Sequence, residues 1–182
     1  MKCPNCQVGN LLATDLEENL QSLRCDNCGG NWIKAFQYWQ WLNAHGPNLP
    51  EKPDGLDVTF TESERARICP ECGHILRSYA VGHHISFSLD RCSNCGGIWF
   101  DKGEWDTLKN HNLHDDVNLI FMTAWQTEVQ KEETMRRMRE IYVRRFGEKD
   151  FAELEKIRTW LDEHPNKGQL IAFLTDRNPF KP

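Results

Sequence analysis

The order of apolar and polar residues predicts strands early in the chain. Ile85, Phe87 and Leu89 alternate with three polar residues, which is the period of a half-buried strand. Gly82 precedes this run and marks a turn, so residues 74–92 predict a β-hairpin. Residues 11–25 alternate less regularly and predict another hairpin, which turns at residues 17–19.

A helical pattern follows the first hairpin. In residues 34–45, Phe36, Trp39 and Leu42 share one side at 100° per residue, whereas Tyr38 and Trp41 lie on another. A helix with two apolar sides needs two neighbours. One is its own hairpin, and the other is the second hairpin, the C-terminal helices or a different protein. The aromatic cluster therefore predicts a docking surface, either inside the molecule or on its outside.

A capping-box pattern follows the second hairpin. Asp101 and Glu104 have the D-x-x-E spacing that begins many helices, and we expect a short helix carrying Trp105 and Leu108. A catalytic role for the two carboxylates is less favoured, because the spacing is that of a helix start. The helix after the first hairpin lacks this box.

Beyond residue 113 the pattern is helical only. We expect a long helix over residues 115–146, another up to Pro165 and a short last one, with apolar residues at the spacing of a helical core. Residues 47–66 hold three prolines and mostly acidic charges, so they predict a partly extended linker.

Composition narrows the class of protein. The chain has 182 residues, a formal charge of −5 and 39% hydrophobic residues, which is typical of a globular protein. No apolar run approaches about 20 residues, so no membrane span is expected. The start, MKCPNC, has no apolar leader, so a cytoplasmic location is expected.

The cysteines supply the chemistry. Each half of the set reads C-x2-C, a gap of 18 or 19 residues, then C-x2-C. Such paired thiolates suit a tetrahedral zinc ion, because a hairpin brings the second pair to the first. Two zinc ions per chain are therefore predicted. The predicted ligands are Cys3, Cys6, Cys25 and Cys28 for one ion, and Cys69, Cys72, Cys92 and Cys95 for the other.

Two alternatives to zinc have less support. A disulfide framework is disfavoured, because no export signal is visible and the cysteine pattern is doubled as a unit. An iron site of the rubredoxin type uses similar cysteine pairs and is the better rival. Zinc remains the favoured metal, since thiolate tetrads without a redox partner domain usually bind it.

The chain writes one phrase twice: RCDNCGGNW at residues 24–32 and RCSNCGGIW at 91–99. The second copy, with Asp101, Gly103 and Glu104 after it, resembles the transcription-factor-IIB-type zinc-ribbon family. The first copy keeps the cysteines, both glycines and Trp32 but continues as IKAFQYW. The resemblance covers residues 3 to about 109 and implies zinc binding. It implies no transcriptional role.

Together these patterns predict a small, zinc-stabilised α+β fold. Two tandem zinc ribbons, each a β-hairpin plus a short helix, precede an α-helical C-terminal region. The predicted boundaries are 1–46 for the first ribbon with its aromatic helix, 47–66 for the linker, 67–112 for the second ribbon and 113–182 for the helical domain. A unit this small needs its metal, because it cannot bury a sufficient core alone.

The predicted function is non-catalytic. All eight cysteines serve as metal ligands, and a closed four-thiolate site leaves no position for substrate. We expect a protein-interaction adaptor, with Phe36, Tyr38, Trp39 and Trp41 as the hypothetical partner-binding set. A nucleic-acid-binding or transcription-associated regulator is the alternative. It is less favoured, because two Zn²⁺ and eight thiolates would lower the net charge from −5 to about −9 and no segment is strongly basic.

Overall fold

The computed structural model describes residues 1–45 and 66–180. Apart from Ala66, the predicted linker lies outside the described residues. The chain divides into two compact units, Met1–Gln130 and Lys131–Pro182. We call them the N-terminal and C-terminal units and describe each by itself. In the described part, no helix is long and apolar enough to cross a membrane.

The observed elements confirm the predicted α+β class: in each ribbon three strands precede a helix, and in the described part of the chain only helices follow the second ribbon. In chain order they are β1 Leu11–Glu17, β2 Leu20–Cys25, β3 Asn31–Ile33, α1 Ala35–His45, β4 Leu76–Gly82, β5 Ile85–Cys92, β6 Ile98–Phe100, α2 Glu104–Asn110, α3 Val117–Ile120, α4 Thr123–Phe146, α5 Glu148–Glu163 and α6 Lys167–Thr175.

The two ribbons form one antiparallel sheet. Its strand order is β1-β2-β3-β6-β5-β4, so each ribbon supplies three neighbouring strands. The ribbons meet where β3 pairs with β6 and Trp32 lies opposite Trp99. Neither ribbon therefore ends at an open strand edge in the middle of the unit, where unpaired backbone groups would need another partner.

The two faces of the sheet carry different residues, with the metal ligands on one face and the main apolar core on the other. Side chains alternate along a strand, so Trp32 and Trp99 lie on one face with the cysteines. Ile33, Ile98 and Phe100 lie on the other face and join the main apolar core. Residues of β2, β4 and β5 and of helices α1 to α3 also belong to that core. The metal ligands and the core are thus separated by the thickness of one sheet.

Helix α1 turns one of its two apolar sides into the core. Tyr38 and Trp41 are fully buried. The Tyr38 hydroxyl lies 2.9 Å from the carbonyl oxygens of both His114 and Asp115, and Trp41 packs edge-on against Trp105. Including Tyr38 and Trp41 in the partner-binding set was therefore wrong, because neither side chain is accessible.

The other apolar side of α1 faces solvent. Phe36 is 61% exposed and Trp39 is 48% exposed. They are three residues apart and therefore neighbours on the helix surface. We call Phe36 and Trp39 the outer aromatic pair.

Only half of the predicted capping box forms at α2. Glu104 Oε2 accepts a hydrogen bond from the Asp101 backbone N–H at 2.7 Å. The Asp101 carboxylate instead accepts from the Trp99 indole at 2.8 Å. The first ribbon makes the equivalent backbone bond, from Lys34 N–H to Gln37 Oε1 at 3.1 Å. The first helix lacks the D-x-x-E box, as its sequence indicates, but Gln37 still makes this bond, because glutamine accepts it as well as glutamate does.

The predicted long helix over residues 115–146 is interrupted. Helix α3 ends at Ile120 and α4 begins at Thr123. The Gln126 side chain donates to the Ile120 carbonyl and to the Ala80 carbonyl, both at 2.8 Å, and so satisfies a backbone group that the break leaves free. Trp125 donates to the Val81 carbonyl at 2.8 Å. The first turns of α4 are thereby held on β4.

Candidate metal centres

The structure brings each predicted cysteine tetrad together. In the first ribbon, Cys3 and Cys28 have their sulfurs 3.6 Å apart, as do Cys6 and Cys25. In the second ribbon the corresponding distances are 3.5 Å for Cys69 to Cys95 and 3.4 Å for Cys72 to Cys92. Within each tetrad all four sulfurs lie within 4.8 Å of one another.

These distances fit a thiolate-bound zinc ion. Four sulfurs at about 2.3 Å from a tetrahedral Zn²⁺ lie roughly 3.75 Å from one another. The observed separations are far longer than the ~2.05 Å of a disulfide, and all eight cysteines are free. Each tetrad is therefore compatible with one zinc ion, in agreement with the prediction of two.

Tight backbone turns aim the sulfurs inward. Cys25 N–H donates to the Gly30 carbonyl at 2.8 Å, and Gly29 N–H donates to the Cys25 carbonyl at 3.1 Å. Gly29 has a φ of 75°, a left-handed conformation that side chains disfavour. Backbone N–H groups of Asn27 and Cys28 point at the Cys25 sulfur at 3.4 Å. Such donors stabilise a thiolate.

The thiols of a tetrad differ in acidity. The backbone N–H of His74 lowers the pKa of Cys72 to about 6. Burial raises the pKa of the Cys69 thiol and, more strongly, that of Cys95. A metal ion must therefore displace protons from the buried thiols, so zinc binding releases protons and weakens as the pH falls.

A reciprocal fit of glycine and tryptophan joins the ribbons. A Cβ atom on Gly30 would lie 2.3 Å from the Trp99 ring, and one on Gly97 would lie 2.1 Å from the Trp32 ring. The second glycine of each CGG motif therefore makes room for the tryptophan of the other ribbon. This contact explains why the phrase CGG-x-W is written twice.

Polar contacts repeat the same two-fold relation. Asn5 donates to Asp101 at 2.9 Å, and Lys34 pairs with Glu71 at 3.0 Å. Asn5 and Glu71 occupy equivalent places in the first knuckles of the two ribbons, as Lys34 and Asp101 do after the third strands. The interface is thus an internal version of a symmetric dimer contact, in which one patch meets its own copy.

A buried charge cluster belongs to the second ribbon and was missed in the sequence. Arg67 is only 8% exposed and pairs with Asp90 and, at 2.7 Å, with Asp101. Ser78 also donates to Asp90. Removing one member would leave a buried charge without its partner. Arg67 precedes the first knuckle without any motif, so no sequence signal marked it.

Comparison with known families agrees with this geometry. The sequence model of the transcription factor zinc-finger family matches residues 2–44 and 68–111. These two segments are the two ribbons, which is consistent with a tandem copy, and the C-terminal region is unmatched. Neither the curated proteins nor the solved structures gave a match to the chain.

Proposed function

We propose that the protein is a non-catalytic adaptor whose zinc ribbons form a rigid platform for a protein partner. The outer aromatic pair, Phe36 and Trp39, is the proposed contact surface. The zinc ions have a structural role, because four thiolates complete a tetrahedral coordination shell and leave no position for a substrate.

The exposure of the outer aromatic pair carries this proposal. Phe36 and Trp39 are 61% and 48% exposed, on a helix whose opposite side is fixed by Tyr38 and Trp41. Aromatic anchors held on a rigid element are typical of binding hot spots, since little conformational entropy is lost when they become buried. A solvent-exposed surface without a binding role would not require two large aromatic rings.

Charge favours a protein over nucleic acid as the partner. The chain carries 27 acidic and 22 basic residues before any metal is bound. The arginine-rich part of α4 is partly neutralised by neighbours, since Arg137 pairs with Glu133 at 3.2 Å and Arg139 with Glu155 at 3.5 Å. We therefore expect duplex DNA to bind no more tightly than about 10⁻⁵ M at physiological salt, which is the non-specific range.

The test is affinity capture with the full-length, zinc-loaded chain from a nuclease-treated lysate. Wild-type bait is compared with Phe36→Ala/Trp39→Ala and with a matched control, Leu12→Ala/Ile75→Ala. The control removes two side chains that are 57% and 64% exposed but lie outside the outer aromatic pair. A captured protein is then purified and its direct affinity for each variant is measured.

We expect the outer-pair variant alone to lose a protein partner, with a cost of about 2 kcal/mol or more in direct binding. Equal loss of the captured protein in both variants would show non-specific binding to exposed apolar side chains and would contradict the proposal. Recovery of partners only without nuclease, or submicromolar DNA binding that falls steeply with salt, would favour the nucleic-acid alternative.

A further inference from the structure

The C-terminal unit leaves a row of large apolar side chains in contact with solvent. Helices α5 and α6 bury no side chain, and the part of α4 in this unit buries none either. We define the C-terminal apolar face as five residues that are each 39–46% exposed: Met138, Tyr142, Phe146, Leu154 and Ile157. A helix with an uncovered apolar side normally packs against a further element.

Within one copy, α4 and α5 form a hairpin that covers little of this face. The Tyr142 ring stacks on Phe151 with centroids 6.3 Å apart. Arg139 lies 5.1 Å above the Phe151 ring and pairs with Glu155. These contacts fix the pairing of the two helices, but Leu154 and Ile157 remain about half exposed.

A groove shows where another side chain would fit. It has a volume of about 530 Å³ and is lined by three apolar residues, Phe146, Leu154 and Ile157, and by three charged residues, Arg145, Asp150 and Glu153. A groove that combines apolar and charged side chains resembles the seam of a helical bundle. In such a seam the core residues interlock and the flanking charges select the partner.

The charges of the two helices are opposite and equal. Residues 131–146 of α4 contain six basic and three acidic residues, whereas residues 148–163 of α5 contain three basic and six acidic residues. A basic helix joined to an acidic one is complementary to itself. When two such hairpins meet about a two-fold axis, each α4 can lie beside the α5 of the other copy.

We propose that the occupant of the C-terminal apolar face is a second copy of this chain. Two α4–α5 hairpins would then form a four-helix bundle, with the apolar faces inside and the basic helices against the acidic ones. The outer aromatic pair on the N-terminal unit takes no part in this contact. A homodimer would therefore present two copies of the proposed adaptor surface, and either proposal can fail without the other.

The test is sedimentation equilibrium of the full-length, zinc-loaded protein over a wide range of concentrations. We expect a mass of twice 21.3 kDa. Leu154→Glu/Ile157→Glu should weaken the dimer by about 100-fold or more, because each carboxylate would be buried without a partner. Ala152→Glu is the control, since Ala152 lies on the opposite, exposed side of α5. It adds a like charge and should leave the dimer intact.

Reversing charges on α4 in one variant and on α5 in another tests more directly whether the partner is a second copy of this chain. The test remains informative when each variant associates poorly on its own. Arg144→Glu/Arg145→Glu makes α4 more acidic, and Asp150→Lys/Glu153→Lys makes α5 more basic. Each variant should dimerise less than the wild type, and an equimolar mixture should recover a 1:1 heterodimer.

A monomer at every concentration, or a dimer that Leu154→Glu/Ile157→Glu leaves unchanged, would overturn the proposal. So would a mixture that shows no recovery. The C-terminal apolar face would then be the contact surface for a different protein.

Discussion

The N-terminal and C-terminal units use similar apolar residues in opposite ways. In residues 1–45 and 66–130, tryptophans, isoleucines and phenylalanines meet in one core behind the sheet, and two cysteine tetrads lie on its other face. In residues 131–180, apolar side chains of the same kinds recur at helical spacing, yet none is buried. The first unit buries its apolar side chains through its own contacts and is stabilised by its metal ions, whereas the second leaves its apolar side chains in contact with solvent.

This difference predicts where substitutions act. In the N-terminal unit a change at a buried position should lower the stability of the fold, because packing there is dense and shared by both ribbons. In the C-terminal unit a change on the apolar face should alter association and leave the metal-bound unit intact.

The largest effect is expected from loss of a metal ligand. Cys25→Ser removes a thiolate that is buried in the first tetrad, and the binding free energy of a structural zinc ion is on the order of 10 kcal/mol. We expect one zinc ion per chain instead of two and loss of cooperative unfolding in the first ribbon. Zinc assay and thermal unfolding measure these changes. Two tightly held ions in the variant would contradict the assigned ligand set.

A smaller but sharp contrast is expected between two glycines. Gly97→Ala places a methyl group 2.1 Å from the Trp32 ring, and we expect a loss of about 3 kcal/mol or more, because neither the sheet nor the ring can move freely. Gly168→Ala in α6 meets no atom within 4 Å and should be neutral or stabilising by up to about 1 kcal/mol. Urea unfolding compares them. Equal effects at the two sites would show that the Trp32–Gly97 contact does not constrain the interface.

The smallest effect is a change in pH dependence from Glu104→Gln. Burial and the nearby Asp101 raise the pKa of Glu104 to about 9. Between about pH 4.5 and pH 9 the folded chain holds a proton that the unfolded chain has released, so rising pH lowers the free energy of unfolding. Glutamine does not titrate, and the equivalent Gln37 shows that it can accept the same backbone bond.

We therefore expect the Glu104→Gln variant to gain about 1–3 kcal/mol relative to wild type between pH 5 and pH 8. Urea unfolding at several pH values measures this difference, and effects of pH on zinc binding are common to both proteins and cancel. Gln37→Glu is the control, because it places a carboxylate at a half-exposed position. A difference between variant and wild type that stays constant with pH would contradict a protonated Glu104.

The metal ligands and the fold class could be predicted because their signals are local. The C-x2-C spacing fixes two sulfurs on one turn, and alternation in residues 85–90 fixes a strand. Both depend on residues close together in the chain. The same holds for the backbone cap of α2, which needs only Glu104 three residues after Asp101.

What the sequence could not show depends on contacts between distant residues. No residue close to Gly30 in the sequence indicates that Trp99 fills the space beside it. The repeated CGG-x-W motif was the only related signal that we identified. The same limit applies to α1, whose two apolar sides looked alike in the sequence. Only the position of Trp105 and of the 114–115 backbone determined that Tyr38 and Trp41 lie inside, and Phe36 and Trp39 outside.

Native mass spectrometry of the purified full-length chain tests the central claim most directly, because it counts metal ions on each intact molecule. The claim is that two structural zinc ions, one in each tetrad, hold two ribbons in a single sheet. The account predicts two zinc ions per chain. When a chelator removes them, the charge-state distribution of the folded protein should disappear as well. Iron in place of zinc, a single ion per chain, or a folded distribution that survives complete removal of the metal would contradict it.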